Sequence, residues 1–138
     1  MQADSDNSLY DLRKPSPNGK RVAELVWQDE YSQGNFTYAL VLDGIDLAGR
    51  DFVDACAWSD DGRYFAIGEI PSGTNPRDGR FVALVIDVEQ QRVCILAHPA
   101  GLGLLPEHFA GAQLVCRVWQ NGAEWTTDTA SLQEWLGL

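Results

Sequence analysis

Histidine and cysteine are the residue types in this chain that could bind a metal ion or act as a nucleophile. His98 and His108 lie beside Gly- and Pro-rich connections, whereas Cys56, Cys94 and Cys116 fall inside predicted strands. A zinc site needs closely spaced Cys or His pairs, which the sequence lacks. A Cys–His catalytic pair needs a thiolate, and a thiol inside a strand stays protonated. We therefore predict no metal site and no cofactor.

Clustered carboxylates are the other candidate for chemistry, and Asp60-Asp61-Gly62 is the clearest cluster. A calcium loop requires further oxygen ligands at fixed offsets and a late glutamate, which are absent here. The sequence also has no Gly-x-Ser-x-Gly elbow and no pair of carboxylates flanking an obvious cleft. We therefore predict that the chain is not an enzyme, and that the Asp-Asp-Gly segment is a turn.

That turn belongs to the segment 57–68, which has the pattern of a strand, a tight turn and a second strand. The Ser59 and Asp61 side chains can bond to their own backbone, and Gly62 accepts the positive φ that closes such a turn. Trp58, just before the turn, is expected to be largely buried between two repeats. The segment Ser16-Pro17-Asn18-Gly19-Lys20-Arg21-Val22-Ala23 has the same pattern 43 residues earlier.

A second pair of similar segments follows these turns. Tyr38-Ala39-Leu40-Val41-Leu42-Asp43 returns 44 residues later as Val82-Ala83-Leu84-Val85-Ile86-Asp87. Periods of roughly 40–45 residues with four strands each are typical of β-propeller blades. The turn sequences W-S-D-D-G-R-Y-F-A and S-P-N-G-K-R-V-A resemble the turn shared by TolB-like and WD-repeat propellers. This resemblance covers about residues 9–97 and implies a fold rather than a function.

The repeats predict an all-β domain, an open and incomplete β-propeller-like array of two to three antiparallel four-stranded blades. Closed propellers use about four to eight blades, so 138 residues are too few to close a ring. Residues 1–7 are predicted to be disordered, and the blades to span about 9–50, 51–97 and, in degenerate form, 98–138. The strands we predict are Leu9–Arg13, Val22–Gln28, Phe36–Asp43, Ile45–Gly49 (a poor strand), Phe52–Trp58, Arg63–Ile70, Arg80–Val88, Arg92–Ala97, Gln113–Trp119 and Glu124–Thr127.

Three connections are also predicted. Asp29–Asn35 is a polar connection, and Pro99–Pro106 has too much Gly and Pro for a helix. An Asn121-Gly122 turn follows the strand at 113–119. Beyond it, Ser131 to Leu136 is either a short strand or a helical turn, because Ser131-x-x-Glu134 has the form of a capping box.

The segment from Pro71 to Gly79 is the predicted contact surface. It has nine residues where hairpin loops usually have two to five, and its two prolines and two glycines restrict its conformations. The residues we expect to contact a partner are Ser72, Gly73, Thr74, Asn75, Arg77 and Asp78. The alternative is a surface loop that contacts no partner.

The charge of the chain limits its partners. Ten Lys and Arg residues against twenty Asp and Glu residues give a net charge of −10, which disfavours nucleic acid and anionic membranes. A basic protein is the expected partner, and a homodimer is left open. No segment is long and apolar enough to insert into a membrane.

Size, acidity and truncated propeller character resemble bacterial immunity proteins that neutralise type VI secretion effectors, in particular peptidoglycan amidases. The resemblance implies a protein-binding inhibitor whose 71–79 loop enters the substrate groove of a cognate toxin, with Ser72 and its neighbours bonding the catalytic dyad. It also implies a periplasmic location, for which the small polar residues 1–7 read as a mature start after signal removal; a cytoplasmic location is the alternative. The alternative function is a non-catalytic scaffold or assembly module that uses open blade edges.

Overall fold

The computed structural model describes residues 9–120, 124–131 and 135–137. Over these ranges the chain is built from β-strands and one short 3-10 helix, η1, and no helix there is long and apolar enough to cross a membrane. The strands are β1 (Leu12–Pro15), β2 (Val22–Ser32), β3 (Asn35–Leu42), β4 (Asp51–Trp58), β5 (Tyr64–Ile70), β6 (Val82–Asp87), β7 (Arg92–Leu96), β8 (Gly103–Ala110), β9 (Gln113–Gln120), β10 (Glu124–Ser131) and β11 (Trp135–Gly137), with η1 at Pro76–Asp78 between β5 and β6.

The described strands pair antiparallel in two sheets. Strands β1 to β7 lie side by side in chain order, and β11 adds to β7 to complete a sheet of eight. The second sheet has the order β10-β9-β8. The predicted all-β class is confirmed, and the sheets do not close into a propeller ring.

The two predicted turns have the same hydrogen bonds. In each turn the serine hydroxyl donates to the side-chain oxygen two residues later, Ser16 to Asn18 and Ser59 to Asp61, both at 2.6 Å. In each turn the glycine amide donates to the serine carbonyl at 2.9 Å. Gly62 has a φ of +73°, as its place in the turn predicts. The sequence repeat is therefore also a repeat of local structure.

The repeated turns contact each other although β1 and β4 are three strands apart in the sheet. The Asn18 Nδ2 group donates to the Asp61 carbonyl at 3.1 Å, and the indole Nε1 of Trp58 donates to the Lys14 carbonyl at 2.8 Å. Strands β3 and β4 share a single paired position, Tyr38 with Phe52. The sheet therefore folds back on itself between β3 and β4. Trp58 is half-buried at this junction, less buried than predicted.

Strands β5 and β6 are covered on both faces, which gives the molecule three layers. On one face Phe65 and Ile67 pack against residues of β2 and β3, such as Leu25 and Leu40. On the other face Ala66 and its neighbours pack against β8 and β9. This explains why these strands are almost continuously apolar.

Asp87, at the end of β6, is fully buried and accepts hydrogen bonds from two arginines. Its carboxylate receives Arg63 Nε and Nη2 at 3.1 and 3.0 Å and Arg92 Nε at 2.9 Å. Burial alone would raise the pKa of Asp87, but these hydrogen bonds outweigh burial and lower it to about 2. The Arg92 guanidinium also lies 4.4 Å from the Trp135 ring centre, which ties β11 to the sheet.

Several element boundaries differ from the sequence predictions. Strand β1 begins at Leu12 rather than Leu9, the poor strand at Ile45–Gly49 is reduced to one bridge between Leu42 and Ile45, and β10 extends to Ser131. The prediction that Asp29–Asn35 is a connection was wrong, because β2 continues to Ser32 and β3 begins at Asn35. The prediction that Pro99–Pro106 is an irregular connection was wrong for its second half, because β8 begins at Gly103. Residues 1–7, the Asn121-Gly122 turn and residues 132–134 of the capping box lie outside the described residues.

Replacing the two turn glycines by alanine separates backbone strain from crowding. Both have a φ of +73°, but a Cβ on Gly62 would lie 2.6–3.0 Å from the Asn18 side chain, whereas a Cβ on Gly19 has open space. We expect Gly19→Ala to lower the free energy of unfolding by about 1 kcal/mol and Gly62→Ala by about 2 kcal/mol, since the second also disturbs the Asn18–Asp61 hydrogen bond. Urea unfolding measures both, and equal losses would contradict the turn-to-turn contact.

The buried Asp87 carboxylate should make stability depend on acid. Its folded pKa of about 2 lies below its unfolded value, so its contribution is present above about pH 4 and is lost as the pH falls toward 2. Asp87→Asn should lower the free energy of unfolding at pH 7 by about 3 kcal/mol, because two arginines lose their partner.

The matched control is Asp43→Asn, since Asp43 pairs with Arg21 at 3.3 Å at the equivalent but exposed position of the first repeat. This exposed pair should contribute less than about 1 kcal/mol. Unfolding curves from pH 2 to 7 test both variants. If the free energy of unfolding falls with pH equally in the wild type and in Asp87→Asn, Asp87 is not the cause of the acid dependence.

Candidate binding surface

The Pro71–Gly79 loop, predicted as a contact surface, connects β5 to β6 and is exposed along most of its length. Ser72, Gly73, Asn75, Arg77 and Asp78 are exposed, and Thr74 is half-buried. The loop therefore presents all six predicted contact residues on one continuous segment.

Hydrogen bonds within the loop fix the shape of both its halves. In the first half, the Thr74 amide and hydroxyl both donate to the Pro71 carbonyl, at 3.1 and 2.7 Å. In the second half, the Asn75 side chain accepts from the Arg77 amide at 3.0 Å and caps η1. Gly79 ends η1 with a φ of +68° and donates to the Pro76 carbonyl at 3.1 Å. The prolines and glycines of the sequence thus produce a loop with a defined backbone conformation.

One long-range contact holds the loop against the rest of the protein. Arg77 Nε donates to the backbone carbonyl of Tyr31, in β2, at 2.6 Å. Because β2 and the loop are far apart in sequence, this bond depends on the folding back of the sheet. It sets the direction in which the loop projects.

The two halves of the loop line two different hollows. The hollow on one side, here called the Ser72 hollow, has a volume of roughly 560 Å³ and is walled by Ser72 to Thr74. At its base Arg50 Nη1 donates to both carboxylate oxygens of the nearly buried Glu69, at 3.0 and 2.8 Å. Val82 and Ile95 give it an apolar side.

The hollow on the other side, here called the Asp54 hollow, has a volume of roughly 430 Å³ and is walled by Pro76 to Gly79. Its floor consists of the apolar side chains of Val53, Phe81 and Leu105, which pack together. Its polar lining is provided by Tyr31, Ser32, Asn35, Asp54 and Arg77.

Two strand irregularities shape the Asp54 hollow. Between β4 and β5 the pairing jumps from Phe52–Glu69 to Cys56–Ile67, so that Val53 to Ala55 lie opposite one residue. Between β2 and β3 it jumps past Tyr31. Bulges of this kind redirect side chains and often lie beside binding sites. Here Asp54 and Tyr31 lie at the two bulges and line the hollow.

Asp54 affects the electrostatics of this hollow. Burial raises the pKa of the Tyr31 hydroxyl, and the negative charge of Asp54 raises it further. Burial, then Asp54 and Asp11, also raise the pKa of the buried Tyr38. The Tyr31 hydroxyl therefore stays neutral near the Asp54 carboxylate.

Gly68 is the residue that lets the floor form. An added Cβ would lie 2.5 Å from Leu105 Cδ2 and 2.7 Å from Val53 Cγ2. Gly68 lies opposite the β4 bulge, where a strand glycine often marks close approach of a neighbour. This glycine was the one sequence signal that could have indicated the hollow, since neither bulge has a recognisable pattern.

The residues considered for metal or nucleophilic chemistry are not brought together. In the described ranges no three His, Cys, Asp or Glu side chains lie close enough to hold a metal ion. His98 accepts from the Ala100 amide, and His108 lies 3.4 Å from Glu107. Cys56, Cys94 and Cys116 lie in strands, and burial raises the pKa of Cys56 to about 11.

Gly68→Ala tests the packing beneath the Asp54 hollow. We expect it to lower the free energy of unfolding by about 1–3 kcal/mol, because Leu105 and Val53 must move. In a Leu105→Ala background the same substitution should cost about 1 kcal/mol less, since one of the two crowded contacts is gone. Gly137→Ala, in a strand position with open space, is the control and should change stability by less than about 0.5 kcal/mol. Strict additivity of Gly68→Ala and Leu105→Ala would contradict this packing.

Comparisons with protein-family models, curated proteins and solved structures find no match for this chain.

Proposed function

We propose that this chain is a protein-binding inhibitor that inserts its Pro71–Gly79 loop into a cleft of an enzyme. The observation that carries the proposal is an exposed loop whose shape is already fixed by hydrogen bonds at Pro71, Asn75 and Pro76 and by the Arg77 contact to β2. A loop that is ordered before binding loses little conformational entropy on binding. This is the physical requirement for a tight inhibitory loop.

The tip of the loop is suited to entering a narrow cleft. Ser72 and Gly73 are small and exposed, and Gly73 has a φ of +80° with no atom near its Cβ position. A serine hydroxyl can donate and accept a hydrogen bond, so it can satisfy polar groups in a catalytic centre. Occlusion of this kind inhibits without any chemical step.

The net charge indicates the electrostatic character of the partner. At −10 the protein attracts a basic surface at long range, which accelerates association and makes the rate fall with added salt. A basic enzyme cleft is therefore the target we propose.

The narrower form of the proposal is an immunity protein in the periplasm that neutralises a peptidoglycan amidase effector of type VI secretion. Ser72 and its neighbours then bond the catalytic dyad of that amidase. The repeated turns and the three packed layers support the accompanying proposal of an open propeller-like array of two to three blades.

Assembly through a sheet edge is the second candidate function. Among the described strands, β1 and β11 each pair on one side of the large sheet, and Leu9, Tyr10 and Leu136 are exposed next to or within them. Such edges can recruit a strand of another chain. A dimeric mass in light scattering, lost when Leu136 is replaced by lysine, would favour this function.

Ser72→Trp is the sharpest test of the inhibitory loop. Ser72 is exposed and makes no side-chain hydrogen bond within the described part of the chain, so the substitution should leave the melting temperature unchanged. The larger side chain should weaken binding to the cognate enzyme at least a hundredfold, about 3 kcal/mol, if the tip fills a cleft.

The control is Ala112→Trp, which places the same side chain on the exposed β8–β9 turn. The partner is first captured from the native organism, and affinity, inhibition and melting temperature are then measured on the same preparations. Normal melting with wild-type affinity and inhibition for Ser72→Trp would show that the loop is not the inhibitory element.

A further inference from the structure

The Asp54 hollow contains a carboxylate that the protein itself leaves unpaired. Within the described residues Asp54 makes no hydrogen bond and no ion pair, although Arg residues pair with Asp43, Glu69, Asp87 and Glu107. Asp54 is exposed and lines a hollow with an apolar floor. An unpaired charge in this position is a binding opportunity for a cation.

The neighbouring guanidinium does not fill this role. Arg77 Nε donates to the Tyr31 carbonyl at 2.6 Å, and no ion pair links Arg77 to Asp54. Asp54 lies in the bulged segment Val53 to Ala55 and lines the hollow. The hollow thus combines an unpaired carboxylate with an apolar lining.

We propose that the Asp54 hollow is the receptor for an arginine side chain of the inhibited enzyme. The aliphatic stem lies on Val53, Phe81 and Leu105, and the guanidinium pairs with Asp54 beside the Tyr31 ring. This inference rests on the proposed function, because it specifies a second contact next to the inhibitory loop.

Arginine fits the lining better than lysine does. Its guanidinium is weakly hydrated, planar and able to bond a carboxylate through two parallel N–H groups while stacking on an aromatic ring. A lysine ammonium is more strongly hydrated and gains less from an apolar floor. The acidic net charge of the chain favours either cation, so the floor and the Tyr31 ring determine the preference.

The test titrates the intact protein with N-acetyl-L-arginine amide and follows amide chemical shifts by NMR. We expect weak, saturable binding in the millimolar range, with the largest shifts at Tyr31, Val53, Asp54 and Leu105. N-acetyl-L-citrulline amide, a neutral molecule of nearly the same shape, is the matched probe and should cause at least about tenfold less binding. The lysine analogue should bind more weakly than the arginine probe.

Asp54→Asn should abolish the arginine shifts, whereas Asp60→Asn, with the same change in charge on the exposed distal turn, should keep them. Equal shifts with arginine and citrulline, or unchanged arginine shifts in Asp54→Asn, would overturn the inference. Retained folding of both variants is checked from the unperturbed remainder of the spectrum.

Affinity for the captured enzyme separates this inference from the function on which it rests. Asp54→Asn should weaken that affinity about tenfold or more, and Asp60→Asn should not. If Ser72→Trp abolishes inhibition while Asp54→Asn binds as wild type, the arginine receptor is wrong and the inhibitory loop stands. If Ser72→Trp has no effect while the arginine probe still binds through Asp54, the loop is wrong and the hollow stands.

Discussion

The buried carboxylate of Asp87 is the contact on which the central part of the molecule depends. It accepts hydrogen bonds from Arg63 on the approach to β5 and Arg92 at the start of β7, and so joins three successive strands at one end of the sheet. Arg92 in turn stacks on Trp135, which brings β11 onto the edge of β7. A buried charge with incomplete pairing would be costly, and here both oxygens are satisfied. The central strands can therefore serve as a rigid base for the loop at their opposite end.

The folding back of the sheet between β3 and β4 is the second constraint, and it creates the candidate binding surface. It brings the two repeated turns together at one end, through Asn18 and Asp61, and β2 close to the loop at the other, through Tyr31 and Arg77. The loop alone would be an exposed connection. Because β2 and the β4 bulge lie next to the loop, the two halves of the loop line two hollows. Hydrogen bonds between neighbouring residues determine the conformation of the loop, and the folding back of the sheet determines which residues surround it.

The parts of this fold that could be predicted from sequence are those determined by neighbouring residues. The turn at Gly62 was predictable because serine, aspartate and glycine at fixed offsets determine its hydrogen bonds. The polar end of β2 was not predictable, because its pairing with β3 depends on bulges that leave no local pattern. Strand β8 was missed since Gly103 and Pro106 argue against a strand, yet β8 is an edge strand, where proline is tolerated. In the site, the loop could be predicted from the sequence. The Asp54 hollow could not, because it combines residues of four distant segments.

If the Pro71–Gly79 loop is the inhibitory element, it is ordered before binding and covered by the partner afterwards. Amide hydrogen exchange of the free protein and of its complex tests both parts directly. We expect the Thr74, Asp78 and Gly79 amides, which donate to loop carbonyls, to be protected already in the free protein, and the Ser72 and Gly73 amides to gain protection in the complex. Exchange of all five amides at unstructured-peptide rates in the free protein, or at the same rates with and without the partner, would contradict this expectation.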